Sequence, residues 1–378
     1  MPPAPPTPPD DADLDAQDRS GPDGPGHVPV LLPAVLELLE PRPGETALDA
    51  TLGRGGHAAA LVPRLAGGTL IGVDRDADNL AYARRRLTPL CDRHRVSLQL
   101  HHASFADLAQ QLSASAPASV DVLLADLGFA SNQMDDPARG FSFLRDGPLD
   151  MRLDPTTGVT AAELVNTLPE KELADLIYRF GEERLSRRIA RRLVERRTAP
   201  PPIHSDRGSD ADREPPRGDD VRPGVWTTHE LAEICRRCYP PPHARRGKRR
   251  GGGKGGGRGG QGGGRGGQGG RGGAGRGIHP ATRTFQALRI AVNGELDALD
   301  TLLDRLPELM SPGGRAGIIS FHSLEDRPVK QALLKLQQDG LGDRLTRRPR
   351  TAEDQETSDN PRSRSAKLRA FRFHENRG

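Results

Sequence analysis

The chain has 378 residues, of which only 34% are hydrophobic and 3% aromatic, with 45 glycines and 34 prolines. This lean composition excludes a hydrophobic core that runs through the whole length, and it predicts that part of the chain does not fold. The formal net charge is only +4, but the segments after Tyr178 are rich in arginine, which suits a nucleic-acid partner; a surface of solvated arginines is the alternative.

Cysteine content and hydropathy place the chain in a reducing cytoplasm. Three cysteines, Cys91, Cys235 and Cys238, do not make a disulfide framework. The last two have the spacing of half a zinc site, with His229 and His243 nearby, but no second cysteine pair exists, so we expect no metal. No apolar run approaches the roughly 20 residues needed to span a bilayer, and the N-terminus lacks a signal-peptide core. We therefore expect a soluble protein with no membrane contact.

The N-terminal half alternates strands and helices after a Pro/Asp-rich tail at 1–26, which we expect to be disordered. Residues 27–41 contain an amphipathic helix that enters the core through Val30, Val35 and Leu39. Strands are predicted at 46–51, 69–76, 96–105 and 120–128. The helices between them are predicted at 57–65, which Pro63 shortens or bends, and at 77–87. This alternation indicates a doubly wound α/β sheet.

An inserted all-helical subdomain interrupts the α/β pattern. Its clearest helical segment is 168–197, where Leu185, Ile189 and Leu193 share one face opposite a row of arginines. The α/β pattern resumes with a helix at 281–306, a turn at 311–314 and a strand at 315–321. The predicted units are a first part of the core at 27–132, the insertion at 133–279, and a second part of the core with a basic C-terminal segment at 280–378.

Two polar segments within the insertion, 204–224 and 245–277, are predicted to be flexible loops. The second is a run of glycines and arginines that cannot bury enough surface to offset the entropy lost on ordering. Its RGG repeats would make weak, salt-sensitive contacts with RNA, or the segment is simply a tolerated linker. The sequence leaves both interpretations open.

A glycine turn follows the first predicted strand, in the segment ALDATLGRGGH at 47–57. Gly53, Gly55 and Gly56 permit close approach of a ligand to the backbone and positive φ angles. The next strand ends at Asp74, whose carboxylate would accept hydrogen bonds from both ribose hydroxyls of an adenosine ligand. The arrangement fits either NAD or S-adenosyl-L-methionine. Asp49 favours S-adenosyl-L-methionine, because its carboxylate would repel the pyrophosphate of NAD but attract the amino group of the methionine moiety. A plain tight turn that needs glycines is the alternative without a ligand.

The fourth predicted strand ends at Asp126, in the segment LLADLGFASNQMDD. The exocyclic amine of a nucleobase is a poor nucleophile because its lone pair is delocalised into the ring. An acceptor that takes hydrogen bonds from the amine helps to localise that pair and to align it with a methyl donor. Asp126 is therefore the candidate catalytic residue; a structural cap of the following turn is the alternative.

Together these motifs resemble the MraW-type family of bacterial 16S rRNA (cytosine-N4) methyltransferases. The resemblance rests on HVPVLL, DATLGRGGH, DRD, RGFSFLRDGPLDMR, HPATRTFQALRIAVNGEL, SFHSLEDRPVK and NPRSRSAKLR, and it runs from about His27 to Arg369 outside the two loops. It implies a class I (Rossmann-like) methyltransferase fold and methyl transfer from S-adenosyl-L-methionine to N4 of a specific cytidine in the decoding centre of the small ribosomal subunit. That base must be turned out of the folded RNA.

The resemblance also assigns roles to residues of this chain. It assigns the cofactor to Gly55, Gly56, His57, Asp74, Phe105, Asp126 and Gln133. Our candidates for the substrate are Arg139, His322, Glu325 and Asp326, and for RNA phosphates the arginines of 184–192 and of RSRSAKLRAFRFH. The family usually has DLGVSSPQLD where this chain has DLGFASNQMD, a departure expected to reshape the pocket floor. A homodimer stays open, and the alternatives to this function are an NAD-dependent oxidoreductase and a non-catalytic RNA-binding scaffold.

Overall fold

The computed structural model describes residues 29–116, 118–198, 224–239 and 279–376. The predicted tail at 1–26, the loop at 245–277, nearly all of 204–224 and His243 lie outside these residues. Within the described ranges, no helix is long and apolar enough to cross a membrane, and no group of His, Cys, Asp or Glu side chains could hold a metal ion. Cys235 and Cys238 are buried free thiols.

A seven-stranded sheet forms the centre of the molecule, in the order β3-β2-β1-β4-β5-β7-β6. Its strands are β1 Thr46–Asp49, β2 Thr69–Asp74, β3 Ser97–His102, β4 Val120–Asp126, β5 Met310–Ser320, β6 Gly342–Arg344 and β7 Lys367–Phe373. The first five strands are mutually parallel, whereas β7 runs antiparallel to both β5 and β6. The predicted doubly wound α/β architecture is confirmed, and its order reverses between β1 and β4, where such sheets open a ligand crevice.

Thirteen α-helices, counted in the described ranges, accompany the sheet. Those of the first part of the chain are α1 Leu32–Leu39, α2 Gly56–Leu61, α3 Ala77–His94, α4 Phe105–Ser115 and α5 Ser131–Asp135. The insertion contributes α6 Ala161–Thr167, α7 Glu170–Gly181, α8 Ser186–Thr198 and α9 Thr228–Arg237. The remaining helices are α10 Thr282–Asn293, α11 Glu295–Leu309, α12 Ser323–Gln338 and α13 Asp354–Asp359.

Alternate residues of the central strands feed two apolar cores, one on each face of the sheet. Leu48 and Leu123 point into a core shared with α4, α11 and α12, whereas Ala47 and Leu124 point into a core shared with α1, α2 and α3. Each fully buried leucine contributes about 1.5–3 kcal/mol through removal of its apolar surface from water. The strand ends are therefore fixed from both sides, which holds the polar residues that follow them in place.

The helical insertion has an apolar core of its own. Ile189 and Leu193 of α8 are buried in it and Leu185 packs against it, as the sequence predicts, while the arginines of the opposite face are exposed. Helix α10 also packs into this core through Phe285 and Leu288, although the sequence places 280–378 in the second part of the methyltransferase core. The predicted boundary at 279 remains a prediction.

Several predicted elements are wrong in their bounds. The helix at 168–197 is interrupted at Glu182, and the helix at 281–306 is interrupted at Gly294, because both residues adopt left-handed backbone angles that end α7 and α10. The predicted turn at 311–314 is instead part of β5, whose first residue pairs with Val120 across a bulge. Strand β3 ends at His102, because Ser104 caps α4 and makes Phe105 a helical residue.

Candidate active site

The glycine turn connects β1 to α2 and is tied directly to the end of β2. The amide of Gly53 donates to Asp74 Oδ2 at 2.7 Å, and the amide of Gly55 donates to the carbonyl of Leu52 at 2.8 Å. Gly53 and Gly55 have φ angles of 52° and 76°, which any other residue adopts only with strain. The expectation of a positive φ is wrong for Gly56, where the absence of Cβ instead allows Pro29 to pack closely.

A cleft of about 1120 Å³ opens at the carboxyl ends of β1, β2 and β4. Its lining includes these predicted site residues: Gly56, His57, Asp74, Phe105, Asp126, Gln133, Arg139 and Glu325. Gly55, His322 and Asp326 are not among the lining residues. The fold therefore brings together most of the residues predicted to bind the cofactor. Of the predicted substrate residues in the FHSLEDR motif, only Glu325 lines the cleft.

Carboxyl groups crowd the floor of the cleft, where Asp74 and Asp126 line it, and the layer behind it, where Asp49 is buried. Burial raises the pKa of Asp49 to about 7, and the nearby Asp74 adds to this shift. Burial also raises the pKa of Asp74 to about 6, against the hydrogen bonds that its carboxylate accepts from the amides of Asp76 and Gly53. Burial, Asp49 and Glu325 raise the pKa of Asp126 well above its usual value. Such a cluster is stabilised in its ionised form by a positively charged ligand.

Asp126 has an oxygen with no partner. Its Oδ1 is buried and has no hydrogen-bond partner in the part of the chain that the structure describes, although a quarter of the side chain is exposed to the cleft. Its backbone amide donates to the Thr51 hydroxyl at 2.6 Å, which fixes the end of β4 against β1. The structure does not support the alternative role of Asp126 as a cap, because its side chain does not cap the start of the following helix, α5.

His57 lies behind Asp126 in the first turn of α2. Its Nε2 is 2.9 Å from the carbonyl oxygen of Val30, so Nε2 carries the proton and donates to that carbonyl. The other ring nitrogen, Nδ1, is then an acceptor in the neutral ring, and it lies 3.7 Å from Asp126 Oδ2. His57 therefore orients a ring nitrogen toward the catalytic candidate.

Asp76 holds two of the predicted residues in place, and the sequence reasoning missed it. Its Oδ2 accepts hydrogen bonds from Gln133 Nε2 at 2.7 Å and from Arg139 Nη1 at 2.6 Å. Burial raises the pKa of Asp76, but these donors outweigh burial and hold the pKa below its usual value. Arg139 also donates to the carbonyl of Leu153 at 2.8 Å, so its guanidinium is largely engaged within the protein. The signal for Asp76 is its position as the N-cap residue of α3.

Arg289 of α10 supplies a largely buried positive charge to the far wall of the cleft, and it is not among the residues predicted from the sequence. Its guanidinium pairs with both carboxylate oxygens of Glu295, at 2.9 and 2.8 Å, and lies 4.8 Å from the ring centre of Phe129. Burial raises the pKa of Glu325, but His322 and Arg289 outweigh burial and hold the pKa below its usual value. Glu325 is therefore ionised beside Asp126.

The two acids of the FHSLEDR motif have structural partners, whereas neither ring nitrogen of His322 makes a hydrogen bond within the described residues. Glu325 Oε2 accepts from the amide of Phe321 at 2.8 Å, and Glu325 Oε1 lies 3.1 Å from His322 Nε2. Asp326 binds Arg369 of β7 at 2.7 Å. Arg369 is only 6% exposed, so its candidacy for a phosphate contact is wrong: the buried guanidinium neutralises Asp326.

The sheet order with its reversed β7, the glycine turn and the acidic floor of the cleft define a class I methyltransferase. A model of the MraW methylase family matches residues 25–206 and 221–374. The chain belongs to the MraW methylase family. Its cofactor is S-adenosyl-L-methionine, whose sulfonium and ammonium groups fit a floor of carboxyls with raised pKa values. Membership of a methylase family excludes the alternative hypothesis of an NAD-dependent oxidoreductase.

Several similar proteins align with nearly the whole length of this chain. The ribosomal RNA small subunit methyltransferase H of Acidobacterium capsulatum is 43% identical over 91% of this chain and 97% of its own length. The protein of the same name from Sorangium cellulosum is 43% identical over 93% and 92%. The one from Synechococcus sp. (strain CC9902) is 45% identical over 92% and 97%. Insertion and core therefore both have counterparts in these proteins.

Proposed function

We propose that this protein transfers a methyl group from S-adenosyl-L-methionine to N4 of a specific cytidine in the decoding centre of small-subunit rRNA. The relatives that match over more than nine-tenths of the chain are designated small-subunit rRNA methyltransferases, which supports the class of substrate. The exposed arginines on α8 give the insertion a positive face that suits an RNA backbone. The insertion, predicted at 133–279, is then the part that binds the RNA.

The partnerless Asp126 Oδ1 is the observation that carries the choice of a proton-bearing group, such as an amine, as the acceptor of the methyl group. A buried carboxylate oxygen without a donor costs free energy unless a ligand supplies one. The amino group at N4 of cytosine has two N–H bonds, and one of them can supply that donor. A carbon acceptor of the methyl group has no N–H or O–H to donate to this oxygen, whereas an amine or a hydroxyl has one; the choice of an amine over a hydroxyl rests on the resemblance to the cytosine-N4 methyltransferases.

The cofactor supplies an electrophilic methyl group on a positively charged sulfur. Asp126 accepts a hydrogen bond from N4–H, which localises the nitrogen lone pair and orients it. The positive charge of the bound cofactor favours the ionised form of Asp126, which burial alone disfavours. As N4 gains the methyl group it loses one proton and the sulfur loses its charge, and the ionised Asp126, whose pKa then rises again, takes that proton. Asp49 and Asp74 remain as carboxylates that balance the positive charge of the cofactor.

Two substitutions on the same strand test this function. Tritium-labelled methyl transfer would be measured on small ribosomal subunits from cells that lack the protein, and the labelled nucleotide mapped by mass spectrometry. We expect N4-methylcytidine at a single position, and a fall of at least about 100-fold in the rate at saturating cofactor for Asp126→Asn. The matched control is Asp121→Asn, because Asp121 lies at the opposite end of β4, where its carboxylate accepts from the amide of Thr46.

The outcomes separate the alternatives. Label on another base or at another atom would contradict the proposed N4 chemistry. Equal rates for the parent protein and Asp126→Asn would remove Asp126 from the reaction. Tight binding of the subunit with no label from the parent protein would favour the non-catalytic scaffold.

A further inference from the structure

Leu144 is the most exposed large apolar side chain in the described ranges. It is 84% exposed, whereas Tyr178, Val159 and Trp226 are 63%, 49% and 37% exposed. Single exposed leucines are common on protein surfaces and by themselves indicate nothing. Leu144 differs because the segment around it is fixed and because it stands beside the candidate active site.

Contacts on both sides hold Leu144 outward. The ring of Phe143 lies 4.5 Å from the ring of His279 and 4.9 Å from the ring of Phe285, so the preceding residue is anchored in the insertion. On the other side, the carbonyl of Arg145 accepts a hydrogen bond from the hydroxyl of Thr228, and the amide of Gly147 donates to the same hydroxyl at 3.2 Å. Since the segment is fixed on both sides, Leu144 cannot move inward with its backbone, and its side chain stays on the surface.

The same segment forms part of the wall of the cleft. The ring of Phe141 stacks on the ring of Phe129 at 5.1 Å, and Phe129 lines the cleft three residues after Asp126. Leu144 lies only three residues beyond Phe141, which places the two Cα atoms within about 11 Å of each other. Leu144 also lines a small pocket with Met134 and Asp135, two residues that line the cleft as well. The leucine therefore stands at the rim of the candidate active site.

We propose that Leu144 is a wedge that enters the base stack of the rRNA substrate where the target cytidine has been turned out. This inference rests on the proposed function. Removing a base from a stack costs a few kcal/mol and leaves a gap between its neighbours, and an apolar side chain that fills this gap lowers the cost. Because the leucine is already held outward, little further entropy is lost when it inserts. Arg145, the next residue, is exposed and places a positive charge where the flanking phosphates would lie.

The test compares Leu144→Ala with Leu144→Met and with Val159→Ala, which removes another exposed apolar side chain. The measurements are the single-turnover methylation rate on small ribosomal subunits, the dissociation constant for those subunits, the affinity for S-adenosyl-L-methionine, and the melting temperature. For Leu144→Ala we expect the rate to fall about 10- to 100-fold, with the other three quantities nearly unchanged. Leu144→Met should recover most of the rate, and Val159→Ala should match the parent protein.

Three results would overturn the wedge. One is an unchanged rate for Leu144→Ala; another is a rate that falls only in proportion to subunit binding, which would make the leucine a simple contact. The third is an equal loss for Leu144→Met, which would indicate a requirement for leucine shape rather than for apolar volume. A parent protein that fails to label cytidine N4 would instead overturn the proposed function, so the two failures are distinguishable.

Discussion

Asp49 makes the ligand-free protein less stable than a neutral side chain would at the same position. It is 2% exposed at the end of β1, and its Oδ1 accepts a hydrogen bond from the amide of Thr51 at 3.2 Å. Burial raises its pKa from 3.8 to about 7. We predict that Asp49→Asn, which keeps the accepting oxygen and nearly the same volume, stabilises the ligand-free protein at neutral pH.

The pKa of Asp49 sets both the sign and the size of this effect. Between pH 3.8 and 7 the folded state retains a proton that the unfolded chain has lost, so the free energy of unfolding falls as pH rises through this window. A difference of about 3 pKa units corresponds to about 4 kcal/mol above pH 7. By the same relation the penalty is about 2 kcal/mol at pH 5.5 and about 0.5 kcal/mol at pH 4. Asp49→Asn should recover about these amounts.

Urea unfolding of the ligand-free protein at these three pH values, up to about pH 8, measures the prediction. The matched control is Asp304→Asn, because Asp304 is exposed on α11, and its effect should stay within about 0.5 kcal/mol at every pH. A gain for Asp49→Asn that does not increase with pH, or a loss of stability at pH 8, would refute the reasoning about burial.

Three further predictions concern the same cleft. Affinity for S-adenosyl-L-methionine, measured by calorimetry, should rise between pH 5 and 8 by up to about tenfold per pH unit for each carboxyl below its pKa. The limit is therefore about a hundredfold per unit below pH 6, where Asp74 and Asp49 both titrate, and about tenfold between pH 6 and 7; an affinity that falls with pH would contradict this. Arg139→Ala leaves the buried Asp76 without its cation and should lower the free energy of unfolding by about 3 kcal/mol, against about 0.5 kcal/mol or less for the exposed Arg184→Ala. Gly55→Ala should lower the melting temperature more than Gly44→Ala, because both glycines have positive φ but only at Gly55 would a Cβ meet Leu87, at 3.1 Å; equal effects would show that crowding is unimportant.

The parts of the site that sequence could predict are those set by strand ends. A buried apolar run followed by an acid places that acid at the carboxyl edge of a parallel sheet, and this sufficed to find Asp74 and Asp126. The glycine turn was predicted for the same reason, and its hydrogen bond to Asp74 links the two motifs physically. Asp76 and Arg289 were missed because their importance depends on partners far away in the chain, Arg139 and Phe129 among them.

Two features of the fold, strand β7 and the break after α7, were not predicted because their local sequence does not indicate them. Strand β7 contains three basic residues in KLRAFRF, which resembles a basic surface segment. In the structure Arg369 pairs with Asp326 and Arg372 pairs with Glu40. Because these acids neutralise the two arginines, the basic segment can form a strand beside the last parallel strand, β5. The break after α7 gives no signal either, because Glu182 adopts a left-handed conformation that a non-glycine residue rarely shows.

The two residues that follow Asp74 join the cofactor side of the cleft to the start of the insertion. Arg75 donates through Nη1 to the carbonyl of Asn293 at 2.5 Å, and the Asn293 side chain in turn donates to the carbonyl of Met151 at 2.8 Å and accepts from the amide of Leu153 at 2.8 Å. Asp76 reaches the same segment through Arg139.

Two routes of hydrogen bonds thus run from the end of β2 to residues 151–153. These bonds fix the base of the helical subdomain against the end of β2. Buried polar residues carry both routes: Asp76 is 1% exposed and Asn293 is 5% exposed, and neither is a predicted ligand contact. The base of the insertion is consequently fixed against the end of the strand that carries Asp74.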